Sequence, residues 1–261
     1  MPYADVRGQR LYYQDTGGGA LALVLSHGFL MDSDMFDPQL RALRNRHRII
    51  TWDQRGHGRT VSTDGSFTYW DSAEDLAGLL DHLNINRAVV GGMSQGGFVS
   101  LRFALAHPQR AAGLILIDTQ SGVEDPEKAL QYDLMHDVWT GSGAADQLLE
   151  MVAAIIIGNH RPESAEWKAK WKALDPPRLT PIYRTLMDRD DVTDRLGELN
   201  VPALVIHGTE DVAIDISIGE RLCSSLSGCR GVVRVEGAGH ASNVTHPEPV
   251  NRAIADFLDS I

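Results

Sequence analysis

Gly91-Gly92-Met93-Ser94-Gln95-Gly96-Gly97 follows the apolar run Ala88-Val89-Val90 and leads into Phe98-Val99-Ser100-Leu101-Arg102-Phe103-Ala104-Leu105. The stretch reads as a strand, a G-x-S-x-G turn and a helix. Such a corner is so tight that its serine sits in a strained backbone conformation with the hydroxyl exposed. Gly92 and Gly96 flank Ser94 because a side chain at either position would collide across the turn. A serine hydroxyl alone is a weak nucleophile, so the motif acquires meaning only with a base and an orienting acid.

Both are available downstream. Ala203-Leu204-Val205-Ile206-His207 is a short buried-strand run ending in Gly208-Thr209-Glu210-Asp211, and Val232-Val233-Arg234-Val235 leads into Glu236-Gly237-Ala238-Gly239-His240. Ser94, Asp211 and His240 each lie just past a predicted strand, and open α/β sheets gather ligands at the carboxyl edge of their strands. Asp118, after Gly113-Leu114-Ile115-Leu116-Ile117, also follows a strand and is the alternative acid; Asp211 is preferred.

The rest of the chain supplies the sheet. Tyr3 to Arg7, a turn at Gly8-Gln9 and Leu11 to Asp15 suggest a hairpin, and Ala20 to Leu25 reads as a central strand buried on both faces. A helical segment spans Phe36 to Arg44; Ile49 to Trp52 is the next strand, and a helix from about Ser72 to Leu83 precedes the serine corner. Strands alternating with helices imply a mostly parallel sheet covered on both faces. Residues 120–200 interrupt the alternation with helical runs such as Ala145 to Ile157 and Ala165 to Leu174, punctuated by prolines. The expected organisation is a core of residues 1–119 and 201–261 with a helical cap at 120–200, whose Trp, Met and Ile side chains line a pocket.

Composition bounds the partners. The 261 residues carry 24 basic and 35 acidic side chains, a net charge of −11. Nucleic acid and anionic membranes reward positive patches, so neither is expected as a partner. The N-terminus lacks the basic and apolar regions of a signal peptide, and no apolar run approaches the ~20 residues that span a bilayer. Cys223 and Cys229 are the only cysteines; reduced thiols in a cytoplasmic protein are expected, with a disulfide across their turn as the alternative. No metal or nucleotide motif is present, so neither kind of cofactor is expected.

Taken together, His27-Gly28-Phe29, Asp53-Gln54-Arg55-Gly56-His57-Gly58, Gly92-Met93-Ser94-Gln95-Gly96, Gly208-Thr209-Glu210-Asp211 and Gly239-His240 resemble the α/β-hydrolase superfamily nearly end to end, and the order Ser, acid, His is that of this fold. The Ser26 to Phe36 segment resembles bacterial arylesterases and cofactor-free perhydrolases, and the spacing resembles 3-oxoadipate enol-lactonases and C–C bond hydrolases. Thr60 stands where serine is common, and Gln95 where Met or Leu is commoner. The resemblance implies an α/β-hydrolase fold and a serine hydrolase that cleaves a small, largely apolar ester or lactone. Ser94 would be the nucleophile, His240 the base and Asp211 its orienting acid, with the backbone N–H groups of Phe29 and Gln95 as oxyanion donors. C–C bond hydrolysis, perhydrolysis and ligand reception are the other activities the scaffold carries. His27, His57 and His207 are expected to be structural, Asp53 and Arg55 to pair or cap locally, and the lysines (Lys128, Lys168, Lys170 and Lys172) to be solvated.

Overall fold

A computed structural model describes residues 2–19, 21–62, 65–158 and 161–261. Its strands are β1 (Tyr3–Val6), β2 (Gln9–Asp15), β3 (Ala22–Ser26), β4 (Arg48–Trp52), β5 (Ala88–Met93), β6 (Ala111–Ile117), β7 (Ala203–Gly208) and β8 (Cys229–Val235). Among the described residues they form one eight-stranded sheet in the order β1-β2-β4-β3-β5-β6-β7-β8. The pairs β1–β2 and β2–β4 are antiparallel, and every other neighbouring pair is parallel. Ala20, where the sequence reading begins the central strand, lies outside the described residues.

Of the helices that flank the sheet, α1 (Asp37–Leu43), α2 (Tyr69–His82), α3 (Gln95–Ala106) and α8 (Ile216–Ser225) lie between strands, and α9 (Ser242–Thr245) and α10 (Pro247–Leu258) follow β8. Every residue of β3, β5, β6 and β7 is buried, which requires cover on both faces. Each Leu, Ile or Val placed there contributes about 1.5–3 kcal/mol of burial. Helix α2 starts three residues before the expected Ser72 because Thr68 accepts a hydrogen bond from the Asp71 backbone N–H while the Asp71 side chain accepts from the Thr68 N–H. That reciprocal cap satisfies donors the helix cannot satisfy itself, and so sets its first turn.

Between β6 and β7 the chain forms α4 (Pro126–Ser142), α5 (Asp146–Ile156), α6 (Ser164–Lys172) and α7 (Pro176–Met187), then a 3-10 turn at Thr193–Glu198. The segment is tied where it leaves and rejoins the sheet. Val192 N–H donates to the Ser121 carbonyl at 3.2 Å, and the Ser121 and Thr193 hydroxyls bond at 2.8 Å. The nearly buried Arg189 guanidinium meets Glu124 at 3.0 Å. The chain crosses between β3 and β5 in opposite directions, out to β4 on one side and to β6 on the other, so a crevice opens at their carboxyl ends.

The cysteines depart from expectation. Cys223, in α8, and Cys229, at the start of β8, form a disulfide across the Ser224–Gly228 turn. Their Cα atoms are 5.4 Å apart, within bonding reach. Disulfides are uncommon in the reducing cytosol, so the bonded pair lends no support to the expected cytoplasmic placement.

Candidate active site

The register of the central strands decides what meets at the crevice. Ser26 pairs with Gly92, and Ile117 with both Met93 and Ile206. The segments that follow, 27–30, 94–97, 118–121 and 207–214, therefore emerge side by side. Ser94 adopts φ 51°, ψ −115°, a conformation that costs a non-glycine residue about 1–3 kcal/mol. Helix α3 begins at the next residue. A Cβ on Gly96 would lie 1.8 Å from the Ser26 carbonyl oxygen, and one on Gly92 2.4 Å from the same atom. Glycine at both positions is what allows the corner to close against β3.

Asp211 and His240 come together as a pair. The His240 imidazole lies 2.8 Å, through Nδ1, from Asp211 Oδ2. A carboxylate only accepts, so Nδ1 carries the proton and Nε2 of the neutral ring keeps its lone pair. Asp211 is anchored independently: its Oδ1 accepts from the backbone N–H groups of Ala213 at 2.9 Å and Ile214 at 3.0 Å. Burial opposes ionisation of Asp211, but His240, the His207 contact and the Ile214 N–H reverse it and hold the carboxyl well below the usual range. Burial likewise pulls His240 down, and the charge and hydrogen bond of Asp211, helped by Asp118, raise it above the ordinary histidine value.

Asp118 does not compete for His240. Its Oδ1 accepts from Gly208 N–H at 2.8 Å, and its Oδ2 accepts from the Ser242 N–H at 3.0 Å and hydroxyl at 2.6 Å. It fastens the loop after β7 to the segment after His240. Burial and the Asp211 charge push its carboxyl up to about 6. His207 is fully buried; its Nε2 donates to the Ile214 carbonyl at 2.8 Å and lies 3.3 Å from Asp211 Oδ2. Among the described residues Asp118, His207 and Asp211 are the cluster whose ligand atoms lie close enough to hold a metal, within 4.8 Å of one another. Their oxygens are occupied by donors, and the free His207 Nδ1 faces Gly219, where even a Cβ would be 2.5 Å away. The donor set fits a hydrogen-bonded loop anchor and does not fit a metal.

Phe29 and Gln95 flank the crevice from either side of Ser94. The Gln95 N–H is the first of α3 and has no intrahelical acceptor, and the Phe29 N–H donates to no described residue. The Gln95 side chain points elsewhere: its amide donates to Gln54 at 3.2 Å and its carbonyl accepts from the Tyr69 hydroxyl at 3.1 Å. His27 accepts the Gln54 N–H at 2.9 Å through Nε2 and bonds the Gly28 carbonyl through Nδ1 at 2.9 Å, which fixes the start of the loop. Burial depresses His57 to about 3, so its ring stays neutral beside His27. Asp53 and Arg55 do not pair. Arg55 takes Asp75 at 2.6 Å, while Asp53 accepts from Arg59 Nε at 3.0 Å and the Ser33 hydroxyl at 2.5 Å.

A cavity of about 620 Å³ lies over these groups, with Ser94 and His240 in its wall. Phe29, Met93, Phe98, Leu148, Val152 and Ile214 make it strongly apolar. Met135, Met151, Ile155 and Ile156 of α4 and α5 line it as the sequence suggested, but among the described residues no tryptophan does. Trp139, Trp167 and Trp171 are buried instead, and the Trp171 indole N–H donates to the Leu30 carbonyl at 2.8 Å.

The lysines also have structural partners that sequence could not supply. Lys170 meets Asp32 at 2.9 Å and Asp34 at 2.7 Å, while Lys168 and Lys172 pair with Glu150 and Asp146. Lys128 reaches the cavity wall, where its ammonium donates to the Val212 carbonyl at 3.2 Å and to that of Ala213. No residue-type spacing signals such contacts, because the partners lie 84 and 138 positions away.

A mostly parallel sheet with a strained serine corner and an acid–histidine pair at its carboxyl edge defines a hydrolase scaffold. The chain belongs to the alpha/beta hydrolase fold family, whose model matches residues 22–247. RutD of Caulobacter vibrioides, provisionally named a carbamate hydrolase, is 31% identical over 261 residues, covering 95% of each chain. A thermophilic esterase from Thermogutta terrifontis superposes with a TM-score of 0.89 at 29% identity, over 99% of this chain and 97% of its own. The enol-lactonase from Burkholderia xenovorans LB400 gives 0.89 at 28% identity, over 99% and 100%. The protein is a hydrolase. Among its described residues no helix is long and apolar enough to cross a membrane.

Proposed function

We propose that the chain is a serine hydrolase that cleaves a carboxylic ester or lactone of a small, largely apolar substrate. His240 Nε2 takes the Ser94 proton as Oγ attacks the carbonyl carbon, and Asp211 holds the tautomer and stabilises the imidazolium. The oxyanion is received by the Phe29 and Gln95 N–H groups, each such donor being worth about 3 kcal/mol in the transition state. The alcohol leaves with the proton from His240, and the acyl group stays on Ser94. Water then gives a proton to His240 as it attacks the acyl carbon, and the bond to Ser94 Oγ breaks as His240 returns that proton to Oγ and the acid is released. Residues 120–200 act as a cap that walls the cavity and keeps bulk water from the acyl-enzyme.

The observation that carries this reading is the Asp211–His240 hydrogen bond set in the wall of the apolar cavity that Ser94 enters. The same cavity favours esters and lactones over a free carbamate. A carbamate anion loses its hydration against this lining, whereas a neutral ester or lactone does not. Labelling with a fluorophosphonate and intact-mass analysis tests the proposal. One adduct is expected on Ser94, lost in Ser94→Ala and His240→Ala, with turnover of short p-nitrophenyl esters lost alongside. Ester turnover that survives Ser94→Ala overturns it.

A further inference from the structure

Five large apolar side chains stand at once in the wall of the Ser94 cavity and on the outer surface. They are Leu134 (65% exposed) and Val138 of α4, Met151 (61%) and Ile155 of α5, and Val212 (65%) of the loop that carries Asp211. Leu130, one turn before Leu134, extends the row at 68% exposure. On α4 the spacing is four residues, twice, and on α5 it is four once, so each helix turns one apolar stripe toward the mouth. Exposed apolar residues scattered singly are ordinary. These are continuous with the lining of a catalytic cavity, and a contiguous patch of that kind marks a binding surface.

Building on the ester or lactone reading of the site, we propose that the substrate carries a long unbranched hydrocarbon chain, held first inside the cavity and then along the stripe between α4 and α5. The volume agrees. A cavity of about 620 Å³ holds roughly twenty groups of water size, at about 30 Å³ each. That accommodates the reacting carbonyl, its alcohol and a chain of about ten carbons, and the exposed stripe takes what extends beyond. The charges flanking the stripe favour a single neutral substrate chain over a bilayer of anionic lipid. Glu127, Asp133 and Asp137 lie on α4 beside Lys128, and Asp146 and Glu150 of α5 are paired with Lys172 and Lys168 of α6, so the stripe carries no excess of positive charge of the kind an anionic bilayer rewards.

The full chain is assayed on p-nitrophenyl esters from acetate to dodecanoate, each below its micellar concentration. The value of kcat/KM is expected to rise about fourfold per added methylene while the chain is entering the cavity, the factor that corresponds to about 0.8 kcal/mol per buried CH₂. Leu134→Ser and Met151→Ser are expected to lower the decanoate-to-acetate ratio by about tenfold, a comparison that cancels any loss common to both esters. A profile that is flat or falls between acetate and decanoate overturns the proposal while leaving the hydrolase reading intact. Titration of Ser94→Ala with 1-alkanols of six to ten carbons reads the same site without turnover. Affinity that climbs with length supports the chain site even if no ester is cleaved, and equal affinities overturn it. Sedimentation at assay concentration completes the test: a dimer abolished by Met151→Ser would give the stripe to a second copy and overturn the proposal, whereas a monomer supports it.

Discussion

Replacing Asp211 with asparagine separates the proposed acid from its neighbour Asp118 on geometry alone. Asp211 Oδ1 accepts two backbone N–H groups, from Ala213 and Ile214, so the amide oxygen of an asparagine must occupy that site. The amide nitrogen then falls where Oδ2 stood, 2.8 Å from His240 Nδ1, and presents a donor to it. Nδ1 must become the acceptor, the ring proton moves to Nε2, and the base that Ser94 requires is gone. A histidine held in the wrong tautomer costs about 10⁴ in rate, or about 5.4 kcal/mol of transition-state stabilisation. Both backbone bonds survive, so the fold should lose no more than about 1–3 kcal/mol from the changed contact. Asp118→Asn should behave in the opposite way. Both of its oxygens face donors, so an amide nitrogen there leaves a buried donor unpaired at about 1–3 kcal/mol of stability, while kcat/KM moves less than tenfold. Measurement of kcat/KM on p-nitrophenyl acetate, corrected by active-site titration and paired with Tm, reads both effects. Asp211→Asn retaining more than a tenth of wild-type activity would refute the tautomer argument. Asp118→Asn losing as much as Asp211→Asn would refute the assignment of the acid.

Further outcomes follow from the same contacts. The base must be neutral to accept the Ser94 proton, and His240 is raised, so kcat/KM should fall as pH drops through a midpoint above the ordinary histidine value of about 6.5; a midpoint below that value would contradict the Asp211 pairing. Trp171→Phe removes the indole donor from the Leu30 carbonyl, next to the proposed Phe29 oxyanion donor, and should lower kcat by about ten- to a hundredfold with KM little changed. A loss confined to KM would show that Trp171 shapes binding rather than the donor.

The fold was legible because it is written in runs that each carry a local cause. A buried apolar strand ends in a glycine-flanked serine, and two further strands end in an aspartate and a histidine. The register that brings them together, Ser26 beside Gly92 and Ile117 beside Ile206, follows once the sheet is parallel. The sequence prefers Asp211 to Asp118 but cannot show their surroundings: both follow strands and both are buried, and the hydrogen-bond partners that separate them are visible only in the structure. The cap showed the same limit. Its helices could be read from periodicity, but a tryptophan turned to the core and a methionine turned to the cavity have the same helical period. Arg55 and Arg59 sit four apart in one turn, and which of them meets Asp53 depends on where Asp75 arrives from α2. The disulfide was likewise undetermined, because Cys223 and Cys229 bond through the approach of α8 to β8 and not through their spacing alone.

The contacts that sequence could not supply share a location, and that location has a consequence for mechanism. Helix α4 touches the loop carrying Asp211, through Lys128 and the Val212 and Ala213 carbonyls. Helix α6 touches the loop carrying Phe29, through Trp171 on the Leu30 carbonyl and Lys170 on Asp32 and Asp34. Leu30 itself is held at φ 62°, a left-handed conformation that a leucine adopts only when its surroundings impose it. The two loops approach the Ser94 crevice from opposite ends of the β3-β5-β6-β7 block. The proposed acid loop and the proposed oxyanion loop are thus braced by the same run of helices, the one that also walls the cavity.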